Sequence, residues 1–232
     1  MRPIVFLDID NTLLDFDACC RETISRGFRR FGLGEYDAAR EQLFHQVNNA
    51  LWQALECGEL SFEELKAVRF FRVFEAMHIV SDGPAFESFF RESLHEVCIP
   101  EPGAFELLSF LKGRGYYLCT ASNGPYDQQR HRLDLAGMLP YFDQLFISED
   151  IGASKPSPVF FETAFARLPE ALRTSFSPSD CTIIGDSLTS DILGGLQAGL
   201  HTIWYRRRGA AEREDIIPER TVLSLQEIEN IL

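Results

Sequence analysis

The stretch Ile4-Val5-Phe6-Leu7-Asp8-Ile9-Asp10-Asn11-Thr12-Leu13 ends an apolar run in two carboxylates. The apolar residues predict a strand, and an extended chain turns alternate side chains to one face. Asp8 and Asp10 therefore converge beyond the strand's carboxyl end, where open α/β sheets bind their ligands. Two carboxylates about 4 Å apart repel by roughly 4 kcal/mol at an effective dielectric near 20. Such a pair asks for a cation or a shared proton, and a hard divalent metal meets that need.

Working outward, strand signals recur at Pro3 to Leu7, Tyr116 to Ala121, Phe142 to Ile147, Cys181 to Ile184 and His201 to Tyr205. Helix-length segments separate most of them, which predicts a Rossmann-like parallel α/β sheet. Chemistry follows several of these strands. Ser122-Asn123-Gly124 comes after the second, Lys155 sits in Gly152-Ala153-Ser154-Lys155-Pro156 ahead of a helix, and Gly185-Asp186 leads to Asp191 about one helical turn later.

Between the first two strands, approximately Phe16 to Cys98, no strand signal appears, and the segment reads as an inserted helical cap. Ser61 with Glu64 forms a capping-box pattern, and Ser81-Asp82-Gly83-Pro84 separates the next helix. Phe70, Phe71, Phe74, Phe86, Phe89 and Phe90 recur at helical spacing and are expected in the cap's own core. The expected division is a catalytic core from residues 1–15 and 99–232 and a cap from 16–98. Ser224 with Glu227 predicts a terminal helix.

The chain has 232 residues, 45% hydrophobic and 25% charged, enough for one substantial core and a small accessory domain. Its formal charge of −13 disfavours a nucleic-acid polymer as partner but leaves room for a small phosphate ester. The short run Arg206-Arg207-Arg208 reads as a solvated loop. No apolar stretch approaches the roughly 20 residues needed to cross a bilayer. Met1-Arg2-Pro3 runs straight into a strand without a signal peptide, so a cytoplasmic location is expected. The six cysteines are scattered, and Cys119 and Cys181 fall in expected core strands, which favours reduced, packing thiols.

The ordered set Asp8-Ile9-Asp10-Asn11-Thr12, Ser122-Asn123-Gly124, Lys155-Pro156 and Gly185-Asp186 through Asp191 resembles the four motifs of the haloacid dehalogenase-like hydrolase superfamily. Within it, Leu51-Trp52, Gly58-Glu59-Leu60-Ser61, Ile147-Ser148-Glu149-Asp150-Ile151-Gly152 and Asp191-Ile192-Leu193-Gly194-Gly195 look most like the bacterial pyrimidine 5′-nucleotidase group. The resemblance implies a phosphatase in which Asp8 is the nucleophile, forming an aspartyl-phosphate, and Asp10 is the acid and base. It implies Mg²⁺ held by Asp8, the Asp10 backbone carbonyl and Asp186, with Asp191 as a further, water-mediated ligand. It also implies that Lys155 bridges nucleophile and phosphate, and that a motif hydroxyl and the Asn123 amide bind phosphate. Thr120 and Ser122 share a strand face; Ser122 is chosen because Asn123-Gly124 directly follows.

The implied substrate is a small phosphate monoester, a pyrimidine nucleoside 5′-monophosphate, with Phe16, Asn48 and Trp52 as selectivity residues of the cap. Thr12 to Asp17 is expected to form the hinge into the cap. Replacing Lys155 with methionine is expected to damage turnover more than folding. A sugar-phosphate or phosphoglycolate phosphatase would use the same core motifs, and a non-catalytic phosphate-binding regulatory module is the alternative from another class. Monomer and homodimer remain open at this level.

Overall fold

The computed structural model describes residues 4–207 and 210–232. The chain forms two compact units, Met1–Phe16 with Ile99–Leu232, and Asp17–Cys98. In chain order the elements begin with β1 (Ile4–Leu7), α1 (Phe16–Phe31), α2 (Ala38–Glu56), α3 (Phe62–Ala76) and α4 (Gly83–Leu94). There follow α5 (Ala104–Arg114), β2 (Tyr117–Thr120), α6 (Tyr126–Leu135), α7 (Ser148–Ile151), α8 (Pro158–Arg167) and α9 (Glu170–Arg173). The chain continues through β3 (Cys181–Gly185), α10 (Leu193–Ala198), β4 (His201–Tyr205) and β5 (Arg220–Val222), with a 3₁₀ helix at Leu225–Asn230.

The five strands are all parallel, in the order β2-β1-β3-β4-β5. The direction of winding therefore reverses at β1 and β3, and a crevice at their carboxyl ends is the place where such sheets bind ligands. Register sharpens the point. Leu7 lies opposite Thr120 on one side and Ile184 on the other, so Asp8, Ala121 and Gly185 leave the sheet at one level.

All four side chains of β1 are buried, as a central strand covered on both faces requires. On one face Ile4, Phe6, Cys119, Cys181 and Ile183 pack with Phe160, Phe161 and Ala164 of α8. Phe6 meets the rings of Phe146, Phe161 and Phe165 at 5.5–6.4 Å between centroids. Fully burying a side chain of this size is worth about 1.5–3 kcal/mol, so this layer anchors the strand that carries Asp8 and Asp10. Cys119 and Cys181 are both free and buried, as expected of packing thiols.

Several expectations need correction. Phe142 to Ile147 is not a regular strand: its bridges are isolated, Gln144 to Cys119 of β2 and Ile147 to Ser122 just past the end of β2. Side chains take the place of some ladder bonds there, with the Leu118 amide donating to the Asp143 carboxylate at 2.9 Å and the Phe146 amide to Thr120 Oγ1 at 2.9 Å, while the Thr120 and Ser122 amides keep backbone partners in Gln144 and Phe146. β5 went unrecognised because Arg220 and Thr221 are exposed and Val222 alone is buried, leaving no apolar pattern. The terminal helix is a 3₁₀ helix. Arg206 and Arg207 are ion-paired rather than merely solvated: Arg206 meets Glu212, and Arg207 meets Asp15 at 2.7 Å and Glu101 at 3.4 Å. Pro3 of the expected first strand and Arg208 of the basic run lie outside the described residues.

In the helical unit, Ser61 and Glu64 form the expected capping box and Asp82 caps α4. Phe28, Phe44, Phe70, Phe74, Phe86 and Phe90 make its core. Phe71 does not join them and is 67% exposed. The buried residues of α3, Leu65, Arg69, Phe70, Val73 and Phe74, form one stripe, and Phe71 with Arg72 falls on the opposite side. No helix among the described residues is long and apolar enough to cross a membrane.

Candidate active site

Asp8 leaves β1 with its amide donating to the Ile184 carbonyl at 2.9 Å, which carries the strand one residue past the ladder. The chain then folds back sharply: Leu13 and Leu14 both donate to the Ile9 carbonyl at 2.9 Å, and Asn11 to Leu14 at 2.7 Å. Asn11 adopts φ 62°, a left-handed conformation that asparagine tolerates better than most residues. This tight turn presents Asp10 beside Asp8 instead of letting the strand continue.

Lys155 enters from the loop before α8 and is wholly buried. Its Nζ donates to Asp8 Oδ1 at 2.8 Å, to Asp191 Oδ1 at 2.5 Å and to the Ala121 carbonyl. An ammonium has three hydrogens, and all three are spent. The Asn123 side chain fixes the lysine's backbone, its Oδ1 accepting from Lys155 N at 2.8 Å and its Nδ2 donating to Lys155 O at 3.0 Å. Asn123 thus positions Lys155, a role that its place in the motif did not reveal.

Asp186 follows β3, and its backbone carbonyl accepts from Trp204 Nε1 at 2.7 Å. Asp191 lies in the π-helical turn Leu188–Ile192, is completely buried, and also accepts from Ser187 N at 3.0 Å. It is therefore no helix-surface carboxylate. Gly185 makes room for it, since a Cβ there would stand 2.2 Å from Asp191 Oδ2.

Carboxylate oxygens of Asp8, Asp186 and Asp191 lie within 4.8 Å of one another. Three acids face one ammonium, so negative charge remains in a largely buried place. That residual charge and the all-oxygen donor set fit a hard divalent cation. Burial pushes the Asp8 carboxyl up to about 7; Lys155 pulls against this, while Asp191 and Asp10 add to the rise. For Lys155, burial alone would favour the neutral amine, yet Asp191 and Asp8 outweigh it and hold its pKa above the ordinary lysine value. The two shifts are consistent because one ammonium serves two acids and stands closer to Asp191.

Thr120 and Ser122 separate clearly. Thr120 Oγ1 donates to the Phe146 carbonyl at 3.2 Å and accepts the Phe146 amide, so its hydroxyl is consumed by the fold. Ser122 Oγ accepts from Gln129 Nε2 at 2.7 Å. Gln129 also donates to Asp10 Oδ2 at 2.8 Å, and Arg132 pairs with Asp10 Oδ1. Sequence reasoning missed both residues. In Gln128-Gln129-Arg130-His131-Arg132 every residue is polar, so no periodicity marks the inward face. The available cue was their spacing of three in the helix directly after Ser122-Asn123-Gly124.

The selectivity candidates fall in different units. Phe16 belongs to the sheet unit, with the Arg132 guanidinium 5.2 Å from its ring. Asn48 is buried in the helical unit, where its Oδ1 accepts from Arg69 at 3.5 Å beside the Arg69–Glu87 ion pair. Trp52 packs on Phe62 at 5.9 Å.

A carboxylate pair, a buried lysine and a further acid pair thus meet at the switch point of a parallel sheet. Residues 3–199 match the model of the haloacid dehalogenase-like hydrolases, and the chain belongs to that family. It is 34% identical to the pyrimidine 5′-nucleotidase PynA of Streptococcus pneumoniae, over 97% of this chain and 92% of that protein. It is 33% identical to the pyrimidine 5′-nucleotidase YjjG of Escherichia coli, over 98% of this chain and 96% of that one. Among solved structures, the magnesium-bound crystal structure of YfnB, described as a HAD-hydrolase of Bacillus subtilis, superposes with a TM-score of 0.88. That match has 33% identity and covers 100% of this chain and 99% of that one.

Proposed function

We propose that this hydrolase is a Mg²⁺-dependent phosphomonoesterase that cleaves nucleoside 5′-monophosphates, pyrimidine nucleotides in preference, through an aspartyl-phosphate. The observation that carries the proposal is Asp8 at the carboxyl end of the central strand, with Lys155 Nζ 2.8 Å from its Oδ1. Asp8 attacks phosphorus in line. The bond from phosphorus to the ester oxygen breaks, and that oxygen leaves with the electron pair and takes a proton from Asp10. In the second half Asp10 receives a proton from water as the water oxygen attacks the same phosphorus, releasing inorganic phosphate and restoring Asp8.

Such transfers depend on positioning and charge neutralisation more than on a strongly basic attacker. Lys155 offsets the repulsion between the nucleophile and an anionic phosphate. The Ser122 hydroxyl, accepting from Gln129, retains its own hydrogen for a phosphate oxygen. Asp8, the Asp10 carbonyl and Asp186 would hold Mg²⁺, with Asp191 behind them, and the bound ion would offset charge on the phosphoryl oxygens.

The helical unit is proposed as the substrate-selecting cap. PynA and YjjG, named as pyrimidine 5′-nucleotidases and matched along nearly their whole lengths, support the nucleotide preference. The test is phosphate release across nucleotides and sugar phosphates, with Mg²⁺ and with chelator. Release from pyrimidine nucleotides should lead, and Asp8→Asn should abolish it. Equal rates on sugar phosphates would remove the nucleotide assignment. Unchanged discrimination after substituting Phe16, Asn48 and Trp52 together would remove the cap residues' role.

A further inference from the structure

Gln129 and Arg132 stand one helical turn apart on α6, and both are buried although neither belongs to the four motifs. Burying a guanidinium is costly unless an anion pairs with it, and Arg132 meets Asp10 Oδ1. The same Nη1 donates to Gln129 Oε1 at 3.0 Å. That bond decides which way the amide points: with its oxygen taken by the guanidinium, its NH₂ group faces Asp10 and Ser122. The two N–H bonds then serve Asp10 Oδ2 at 2.8 Å and Ser122 Oγ at 2.7 Å. Each oxygen of Asp10 has its own donor, and one amide ties that carboxylate to the neighbouring hydroxyl.

From this geometry, and resting on the reading of Asp10 as acid and base, we infer that Gln129 and Arg132 are positioning residues that hold Asp10 and Ser122 in register for proton delivery to the leaving oxygen. Neither touches the ester. As the bond from phosphorus to oxygen breaks, the leaving oxygen keeps the electron pair and accepts the Asp10 proton. The carboxylate that remains is received by donors already in place, so little reorganisation accompanies the transfer. A protonated Asp10 also accepts from both, through its carbonyl and hydroxyl oxygens.

Leaving-group dependence distinguishes this role from general support of the fold. A nitrophenolate departs without a proton, whereas an alkoxide needs one. The ratio kcat/KM reports events through departure of the leaving group, before the common hydrolysis of the phosphoenzyme. It would be measured with Mg²⁺ on 4-nitrophenyl, phenyl and alkyl phosphates for the wild type, Gln129→Met, Arg132→Met, Arg132→Lys and Asp10→Asn.

For Gln129→Met we expect a loss of about threefold on the nitrophenyl ester growing to about thirtyfold on the alkyl ester, a part of the roughly 10²–10⁴-fold that general acid catalysis supplies. Arg132→Met should show the same gradient and Arg132→Lys a shallower one. Gln129→Met, which buries no new charge, carries the test should Arg132→Met fail to fold. A uniform loss across the series in Gln129→Met, with Asp10→Asn still graded, overturns this inference and leaves the acid–base reading standing. A uniform loss in Asp10→Asn as well overturns both.

Discussion

Lys155 Nζ meets Asp8 Oδ1 at 2.8 Å across 147 residues of sequence, and the same ammonium holds Asp191 at 2.5 Å. The nucleophile candidate and the deepest carboxylate of the site thus share one cation. This arrangement changes what substitution of the lysine should do. Breaking a buried pair by removing one partner typically costs about 3–5 kcal/mol, because the other charge stays behind. Lys155→Met should therefore lower thermal stability as well as turnover, more than its place in a loop suggests. Melting curves at pH 8 and pH 5 would check this: the deficit should shrink at pH 5 as the stranded Asp8 carboxylate takes up a proton. An equal deficit at both would contradict the pairing.

The metal-free protein should show an unusual dependence on pH. Asp8 has its carboxyl raised from an ordinary value of 3.8 to about 7, chiefly by burial. A raised acid binds more protons folded than unfolded, so stability should fall as pH rises from about 4 to 7 and then level off. The raised lysine acts in the same sense, but only above the ordinary lysine range, and does not affect this window. Melting in chelator across pH 4–8 should reveal the decline, and Mg²⁺ should reverse it at pH 7 by favouring the anion. Identical curves with and without the ion would argue against metal binding at this cluster.

Gly185 is constrained by Asp191 rather than by backbone conformation, since a Cβ would stand 2.2 Å from Asp191 Oδ2. Gly185→Ala should displace the carboxylate or the β3 end, at the roughly 1–3 kcal/mol typical of overpacking. Calorimetric titration should show Mg²⁺ affinity reduced by about tenfold or more, the scale seen when residues supporting a metal site are altered. Native affinity in this variant would show that the cation does not depend on Asp191's position.

Thr120 and Ser122 should respond differently to loss of their hydroxyls. Thr120→Val strands the buried Phe146 amide and should cost about 1–3 kcal/mol of stability. Ser122→Ala should instead lower kcat/KM with little change in melting temperature. Thermal melts and kinetics on one phosphate ester would compare them, and the opposite pattern would return the phosphate-binding role to Thr120.

Much of this site was legible from residue types alone. Asp8, Asp10, Lys155 and Asp186 each follow an apolar segment or a turn signal, and strand ends are local features that alternation and punctuation disclose. The Asp8, Asp186 and Asp191 carboxylates do meet. Less legible were residues whose surroundings are formed by distant elements. Phe71 has the composition of a core residue and lies outside, because the inward stripe of α3 runs through Leu65, Arg69, Phe70, Val73 and Phe74 and leaves Phe71 on the other side. Phe142 to Ile147 has the composition of a strand, yet Asp143 and Thr120 side chains take ladder positions.

From the one-dimensional order of residues came the parallel α/β architecture, the inserted helical segment and the acid-hydroxyl-lysine-acid series, since each rests on periodicity or on neighbours a few positions away. Folding in three dimensions settled which acids share the lysine, which hydroxyl stays available, and that Gln129 reaches Asp10 across 119 residues. Those contacts join segments far apart in the chain. No local pattern encodes them, because a polar side chain becomes a buried partner only when packing brings its counterpart within hydrogen-bond reach.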